Sequence, residues 1–209
     1  MAAGGSQREG GATSGFAQDR ERLIAAVAKG AAEHGYAGMT VEQIATYAGL
    51  SPEIFSLHFE SKEQGLVAAQ EAFMERLWLD AAGACDEGET WPRKVRAGLR
   101  AVLASLVETS GLARVFAVEA QGSLVLAERQ LAALDRFALM LRQGRYDYPE
   151  ASTLPEATER TLVGGIASIV SAHLMMEETA AIPTLGPDLV ELVLIPYVGR
   201  EEARQAALA

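Results

Sequence analysis

The sequence predicts an all-α chain of about nine helices, and three observations lead there. Helix-start signals recur: Thr40 with Gln43, and Ser61 with Gln64, fit the capping box, in which a hydroxyl and an amide satisfy each other's orphan N–H groups. Apolar residues return at three- and four-residue intervals along most of the chain, and no stretch shows the two-residue alternation of a strand. The composition, 209 residues with 49% hydrophobic and 22% charged, is that of a globular protein with a sizeable core.

The densest signal lies in TVEQIATYAGLSPEIFSLHFESKEQ, Thr40 to Gln64, which contains three helix starts. The third is Ser51 followed by Pro52, with proline at the first helical position where its missing N–H costs nothing. Val41, Ile44, Ala45 and Ala48 form one apolar face of a short helix, and Gly49 after them can take the positive φ of a tight turn. Ala45 is small enough for a second helix to cross closely, and Ile54, Phe55 and Phe59 offer the apolar underside. Two short helices about a glycine turn make a helix-turn-helix. Such a unit serves DNA-binding proteins and also proteins that never touch nucleic acid, and spacing leaves both open.

From Leu23 to Leu66 the pieces AEHGY, TVEQIA, AGLS, HF and SKE follow in order, and over this run the chain resembles the N-terminal domain of the tetracycline-repressor-like (TetR) regulators. The resemblance implies an arm over 1–17, a three-helix DNA-binding domain over 18–65, and a helical ligand-binding and dimerisation domain over 66–209. It also implies a regulator, a repressor in sign, that binds a palindromic double-stranded operator as a homodimer and is released by an apolar small-molecule effector. Ser51–Phe59 would be the recognition helix, with Ser51, Pro52, Glu53, Ser56 and Leu57 toward the groove. Thr40 and Lys62 would hold phosphates at helix N-termini, and His58 would pack or touch a phosphate. Where members commonly read Ser-Lys-Gly-Thr-Leu-Tyr-Tyr-His-Phe, this chain reads Ser-Pro-Glu-Ile-Phe-Ser-Leu-His-Phe, without the Lys and both Tyr that usually contact DNA. Glu53 can accept from cytosine N4 and Leu57 can touch a thymine methyl. Equally, Glu53 can simply complement the helix dipole.

Charge works against tight DNA binding. The chain carries a formal −10, and between Asp19 and Leu66 four cations (Arg20, Arg22, Lys29, Lys62) face seven carboxylates, a net −3. Phosphate neutralisation supplies much of DNA affinity, so binding would rest on a few placed cations and backbone N–H groups. An alternative is therefore a ligand sensor or protein-interaction module of the same fold with weak or no DNA binding. An enzyme built in the helical cavity comes third: with three His, one Cys and no phosphate loop or nucleophile elbow, no catalytic residue, metal or cofactor is expected. Cys85, the single cysteine, reads as a free structural thiol in a reducing cytoplasm. MAAGGSQREGG has no apolar secretory core, and Leu162–Met176 falls short of the roughly 20 residues a bilayer needs, so no membrane association is expected.

The remaining elements follow in order. The Gly-, Ala- and Ser-rich segment 1–17, with Arg8, is expected to be disordered. Leu23, Ile24, Val27, Ala28 and Ala31 indicate a helix from about Gln18 to His34, closed by Gly35, with Tyr36 packing back onto it. Gly30 and Ala31 stand where members carry larger residues, so a small, loosely held core is expected. A long helix runs from Ser61 to about Ala84, then an acidic loop over Asp86–Glu89. A helix over Trp91–Thr109 turns Val95, Leu99, Val102, Leu103 and Leu106 inward and leaves Arg93, Lys94, Arg96 and Arg100 solvated. Helices follow over about Leu112–Ala120 and Leu124–Gln143, the second with Leu131, Leu134, Phe137, Ala138 and Leu141 inward. Gly144–Leu154 is a polar connection whose two Tyr residues can fold over the body.

The helix over Glu156–Glu178 is apolar nearly all round and must lie between two partners. The segment Pro187–Val198 is nearly as apolar, and Pro196 should kink or end it. Such uncovered apolar surface argues for a second copy of the chain, joined two-fold through these helices. The dimerisation residues are Leu162, Gly164, Ser168, Ala172, Leu189, Leu192, Val193 and Pro196. The expected effector liners are Met74, Trp78, Leu99, Leu103, Phe116, Glu119, Phe137, Met140 and His173. Glu119 reads either as a solvated or Arg-paired acid or as a polar anchor in an apolar pocket, and His173 as a hydrogen-bonded core or interface residue rather than a ligand contact.

Overall fold

α1 (Ser6–His34) is the longest helix of the first of two units, Met1–Ala72 and Phe73–Ala209, into which the computed structural model divides. The structure describes residues 6–86, 90–119 and 122–209, and among them there is no strand. Leu23, Val27 and Ala31 on α1 are fully buried, as their spacing requires. The helix begins at Ser6 rather than near Gln18, so the expected arm is helical over 6–17; Met1–Gly5 lie outside the described residues. No proline interrupts the segment from Ser6 to Gln18, and the helix runs through Gly10, Gly11 and Gly15 despite their low propensity.

Capping sets the next boundaries. α2 (Val41–Ala48) starts at Thr40 through both bonds of the expected box: the Gln43 N–H donates to Thr40 Oγ1 at 3.3 Å and the Thr40 N–H to Gln43 Oε1 at 2.8 Å. Gly49 closes it at φ 63°, a left-handed conformation that a side chain would strain. α3 (Pro52–His58) follows with proline in its first turn, and its Phe55 ring sits buried 5.4 Å from that of Phe59. α4 (Lys62–Asp86) is opened by Ser61, whose hydroxyl accepts from the Gln64 N–H at 3.1 Å. Here the box is displaced by one residue, because Gln64 Oε1 accepts from the Glu60 N–H at 2.7 Å.

Gly30 turns out to be a packing residue. A Cβ there would overlap the thioether sulfur of Met39, which is itself 2% exposed. Met39 fills the space that the small residues of α1 leave, so the loosely held core expected at this point is instead closed by a flexible side chain.

The second unit begins at Phe73, within α4. It contains α5 (Trp91–Glu108), α6 (Ser110–Glu119), α7 (Leu124–Arg142), the single turn α8 (Gly144–Asp147), α9 (Thr158–Met175) and α10 (Gly186–Leu208), with 3-10 turns at Pro149–Thr153 and Thr179–Leu185. α5 packs on α10, and α6 and α7 pack on α9. Trp91 and Val95 of α5 meet Val190, Val193, Leu194 and Ala203 of α10 in one apolar cluster. The acidic loop expected over Asp86–Glu89 lies, apart from Asp86 at the end of α4, outside the described residues.

Two expectations are corrected here, at Leu131 and at Pro196. Leu131 is 63% exposed, since α7 buries Leu126 and Ala138 and its helical phase turns Leu131 outward. Pro196 does not end α10: the backbone breaks at Gly199 (φ 76°, ψ 168°), and a further helical stretch brings Ala203 back into the core. Proline removes one N–H but keeps a helical φ, whereas glycine alone tolerates the reversed one. α9 buries Val163, Val170 and Leu174 on one side and leaves Gly164, Gly165, Ser168 and Ile169 exposed, so its apolar girdle is half covered within the protomer. Thr179–Leu208 is long and apolar enough to cross a membrane, with mean hydropathy 1.4, but Leu189, Val190, Val193 and Leu194 within it are spent on the protein interior.

Arg145, Glu159 and Tyr197 join the later elements. Glu159 is 1% exposed; Arg145 donates to both its oxygens, at 2.6 and 2.9 Å, and the Tyr197 hydroxyl donates to Oε1 at 3.0 Å. Arg145 also donates to the carbonyls of Leu154 and Pro155, tying the connection to α9. Tyr148 packs against the α5–α10 cluster as expected of the connection, while Tyr146 is 87% exposed.

Candidate nucleic-acid interface

The helix-turn-helix presents a small, well-defined outer face. With Phe55 and Phe59 turned inward, Glu53, Ser56 and Leu57 lie three and four residues apart on the exposed side of α3, and Leu57 is 69% exposed. Ser51 and Pro52 are exposed at its start. The Ser56 hydroxyl donates back to the Pro52 carbonyl at 3.2 Å. Hydrogen bonds from the Ser51 side chain and from its own backbone N–H hold the Glu53 carboxyl below the usual carboxylate range, so it is an acceptor at neutral pH. For Glu42, on α2, its own N–H and then Thr40 act in the same direction.

Arg20, Arg22, Lys29 and Lys62, the described cations of this unit, all make contacts within it. Lys62, expected on a phosphate, instead donates to the carbonyls of Tyr36 at 3.0 Å and Met39 at 2.8 Å, and lies 4.4 Å from the centre of the Tyr36 ring. The three-donor ammonium thereby satisfies the turn between α1 and α2, a stronger demand than solvent would make. Arg22 donates to the Ala48 carbonyl at 2.6 Å and pairs with Asp19, Lys29 lies over Tyr47, and Arg20 over Phe59. Thr40 is exposed, its hydroxyl engaged by the cap. His58 stacks on Phe16 of α1 at 3.9 Å between ring centres, which is the packing role of its two expected ones. Phe16 escaped the sequence reading because it lies in the segment taken as an arm.

In the second unit the expected effector residues make the following contacts. Phe116 meets Phe73 at 5.3 Å between ring centres, the Trp78 ring lies under the Arg136 guanidinium at 4.4 Å, and Met140 Sδ stands 3.9 Å from the Cys85 thiol. Leu103 is buried near Gly186, while Leu99 packs against the α5–α10 cluster. Met74, Phe137 and Glu119 are half-buried. His173 Nδ1 lies 2.9 Å from the Ile169 carbonyl, and its other nitrogen 3.9 Å from Glu178.

Of the expected dimerisation residues, Gly164, Ser168 and Leu192 are exposed and Leu162, Ala172 and Pro196 half-buried. Leu189 and Val193, 3% and 1% exposed, are corrected: they belong to the core of their own protomer. An apolar run does not say which of its faces a neighbouring helix covers. Sequence reasoning also missed the Arg145–Glu159–Tyr197 cluster, whose members come from three elements with no common spacing.

Residues 23–69 match the family model described as bacterial regulatory proteins of the tetR family. No curated protein matches the chain. Among solved structures, the fatty acid degradation regulator FadR from Bacillus halodurans is similar at 20% identity and TM-score 0.73, over 87% of this chain and 96% of that one. FadR from Bacillus subtilis, in complex with stearoyl-CoA, is similar at 19% identity and TM-score 0.68, over 86% and 98%. A transcriptional regulator from Rhodococcus sp. Rha1 is similar at 21% identity and TM-score 0.59, over 90% and 93%. At these identities the likeness is one of fold.

Proposed function

We propose that this chain, whose residues 23–69 match the tetR family model, is a cytoplasmic repressor that binds a palindromic operator as a homodimer and leaves it when an apolar small molecule occupies the second unit. The observation that carries this reading is the α2–Gly49–α3 unit, with Glu53, Ser56 and Leu57 exposed on its outer face. The exposed stripe Gly164, Gly165, Ser168 and Ile169 on α9, together with exposed Leu192 on α10, is the surface for the second copy. Small residues let a like helix approach closely, and a two-fold pairing places the same stripe on both sides. The effector class to test first is a long acyl chain, since the similar FadR of Bacillus subtilis is seen with stearoyl-CoA. Phe116, Trp78, Met140 and His173 are the first residues to probe for it. By linkage, a ligand that lowers operator affinity by some factor is itself bound more weakly by that factor on DNA.

The experiment is a salt titration of binding to DNA from upstream of the protein's own gene. An operator-binding protein loses affinity steeply as salt rises; no retention of that DNA even at low salt would sink the reading. A second reading is favoured by the committed cations and the net −3 of residues 19–66: a ligand sensor or protein-interaction module of this fold without appreciable DNA affinity. Tight binding of an acyl ligand without DNA retention would select it.

A further inference from the structure

The outer face of α3 carries an acceptor, a hydroxyl and an aliphatic tip, and that combination has consequences for which bases it can face. This step rests on the operator-binding reading above. A helix of this length is about 10 Å long and fits a major groove about 12 Å wide. The most frequent specific contact, a guanidinium or ammonium donating to guanine O6 and N7, has no donor here: α3 carries no Lys or Arg, and its His58 is stacked on Phe16. Arg20, Arg22, Lys29 and Lys62 are held on rings and carbonyls of their own unit.

Glu53, ionised and exposed, can only accept. In the major groove guanine presents two acceptors, which a carboxylate repels, whereas cytosine presents the N4 donor. Leu57 is 69% exposed among the described residues, and the apolar group displayed in the major groove is the thymine methyl. Because the two residues stand four apart on one face, they meet neighbouring base pairs.

We infer that Glu53 and Leu57 are the specificity-determining residues of α3, the first selecting cytosine and excluding guanine, the second selecting thymine through its methyl group. Ser56 between them, its hydroxyl turned back to Pro52, discriminates little.

The test is selection of duplexes from a randomised library at low salt by the full-length chain, repeated with Glu53→Gln and Leu57→Ala. Both side chains are exposed, so neither substitution opens the core, and circular dichroism checks that both variants are folded. The expected wild-type motif contains a cytosine and a thymine in each half-site. Glu53→Gln shifts the cytosine to adenine, whose N6 and N7 suit an amide. Replacing the selected thymine by uracil, which lacks only the methyl, weakens wild-type binding about fivefold or more and leaves Leu57→Ala unaffected. A recovered motif that neither substitution alters, or an indifference of the wild type to uracil, overturns this assignment while leaving operator binding intact. Recovery of no duplex by the wild type overturns operator binding itself, and the assignment with it.

Discussion

Arg145 grips the buried carboxylate of Glu159 with two parallel hydrogen bonds, Nε to Oε1 at 2.6 Å and Nη2 to Oε2 at 2.9 Å, and so joins the turn after α7 to the first turn of α9. Burial pushes the Glu159 carboxyl up, but the bonds from Arg145, from its own N–H and from Tyr197 outweigh it, and its pKa lies below the usual range. Burial, then the Glu159 charge, pushes the Tyr197 phenol far up, so it stays a donor.

Acid sensitivity follows from that shift. A carboxyl whose folded pKa is depressed contributes stability that is complete above its unfolded value near 4.3 and is lost as pH falls through the folded value. The melting temperature should therefore drop as pH goes below about 4.5. Glu159→Gln should cost roughly 3–5 kcal/mol at pH 7, by leaving Arg145 charged and unpaired, and should flatten that acid limb. Thermal melts from pH 3 to pH 7 check both; a variant with the wild-type acid limb would remove Glu159 as its cause.

Two glycines should respond oppositely to the same substitution. A Cβ on Gly144 would stand 2.8 Å from Cζ2 of the buried Trp91 and closer still to its nitrogen, so Gly144→Ala should lose about 1–3 kcal/mol by overpacking. At Gly164 nothing lies within 4 Å, and Gly164→Ala in mid-helix should gain up to about 1 kcal/mol for the protomer. Denaturant titration of the two variants reads the sign directly.

Lys62 should behave as a structural residue. Lys62→Met removes charged hydrogen bonds to two carbonyls, worth about 1.5–3 kcal/mol each at most, and should lower the stability of the first unit. If operator binding occurs, its dependence on salt should keep the wild-type slope, whereas a lost phosphate contact would reduce it by about one.

The α9 stripe can be tested by a charge. Ser168→Arg places a guanidinium on an exposed position of the protomer, so helix content should not change. Sedimentation should show the wild type as a dimer at micromolar concentration and the variant as a single chain. A variant that stays dimeric would move the interface off this stripe.

The sequence by itself determined the helices and their boundaries near the turn: Thr40 with Gln43, Gly49, and Pro52 act within four residues of themselves, so their local chemistry is complete in the text of the chain. It also marked Glu53 and Leu57, because a three- and four-residue period assigns faces once one face is apolar. Only tertiary structure decided which cation is free and which apolar side is covered. Lys62 was drawn to carbonyls more than twenty residues away, Gly30 made room for Met39, Val193 was taken by the cluster with α5, and Arg145 found Glu159 and Tyr197. Each of these is a competition between partners distant in the chain, settled by packing and desolvation, which no local spacing encodes.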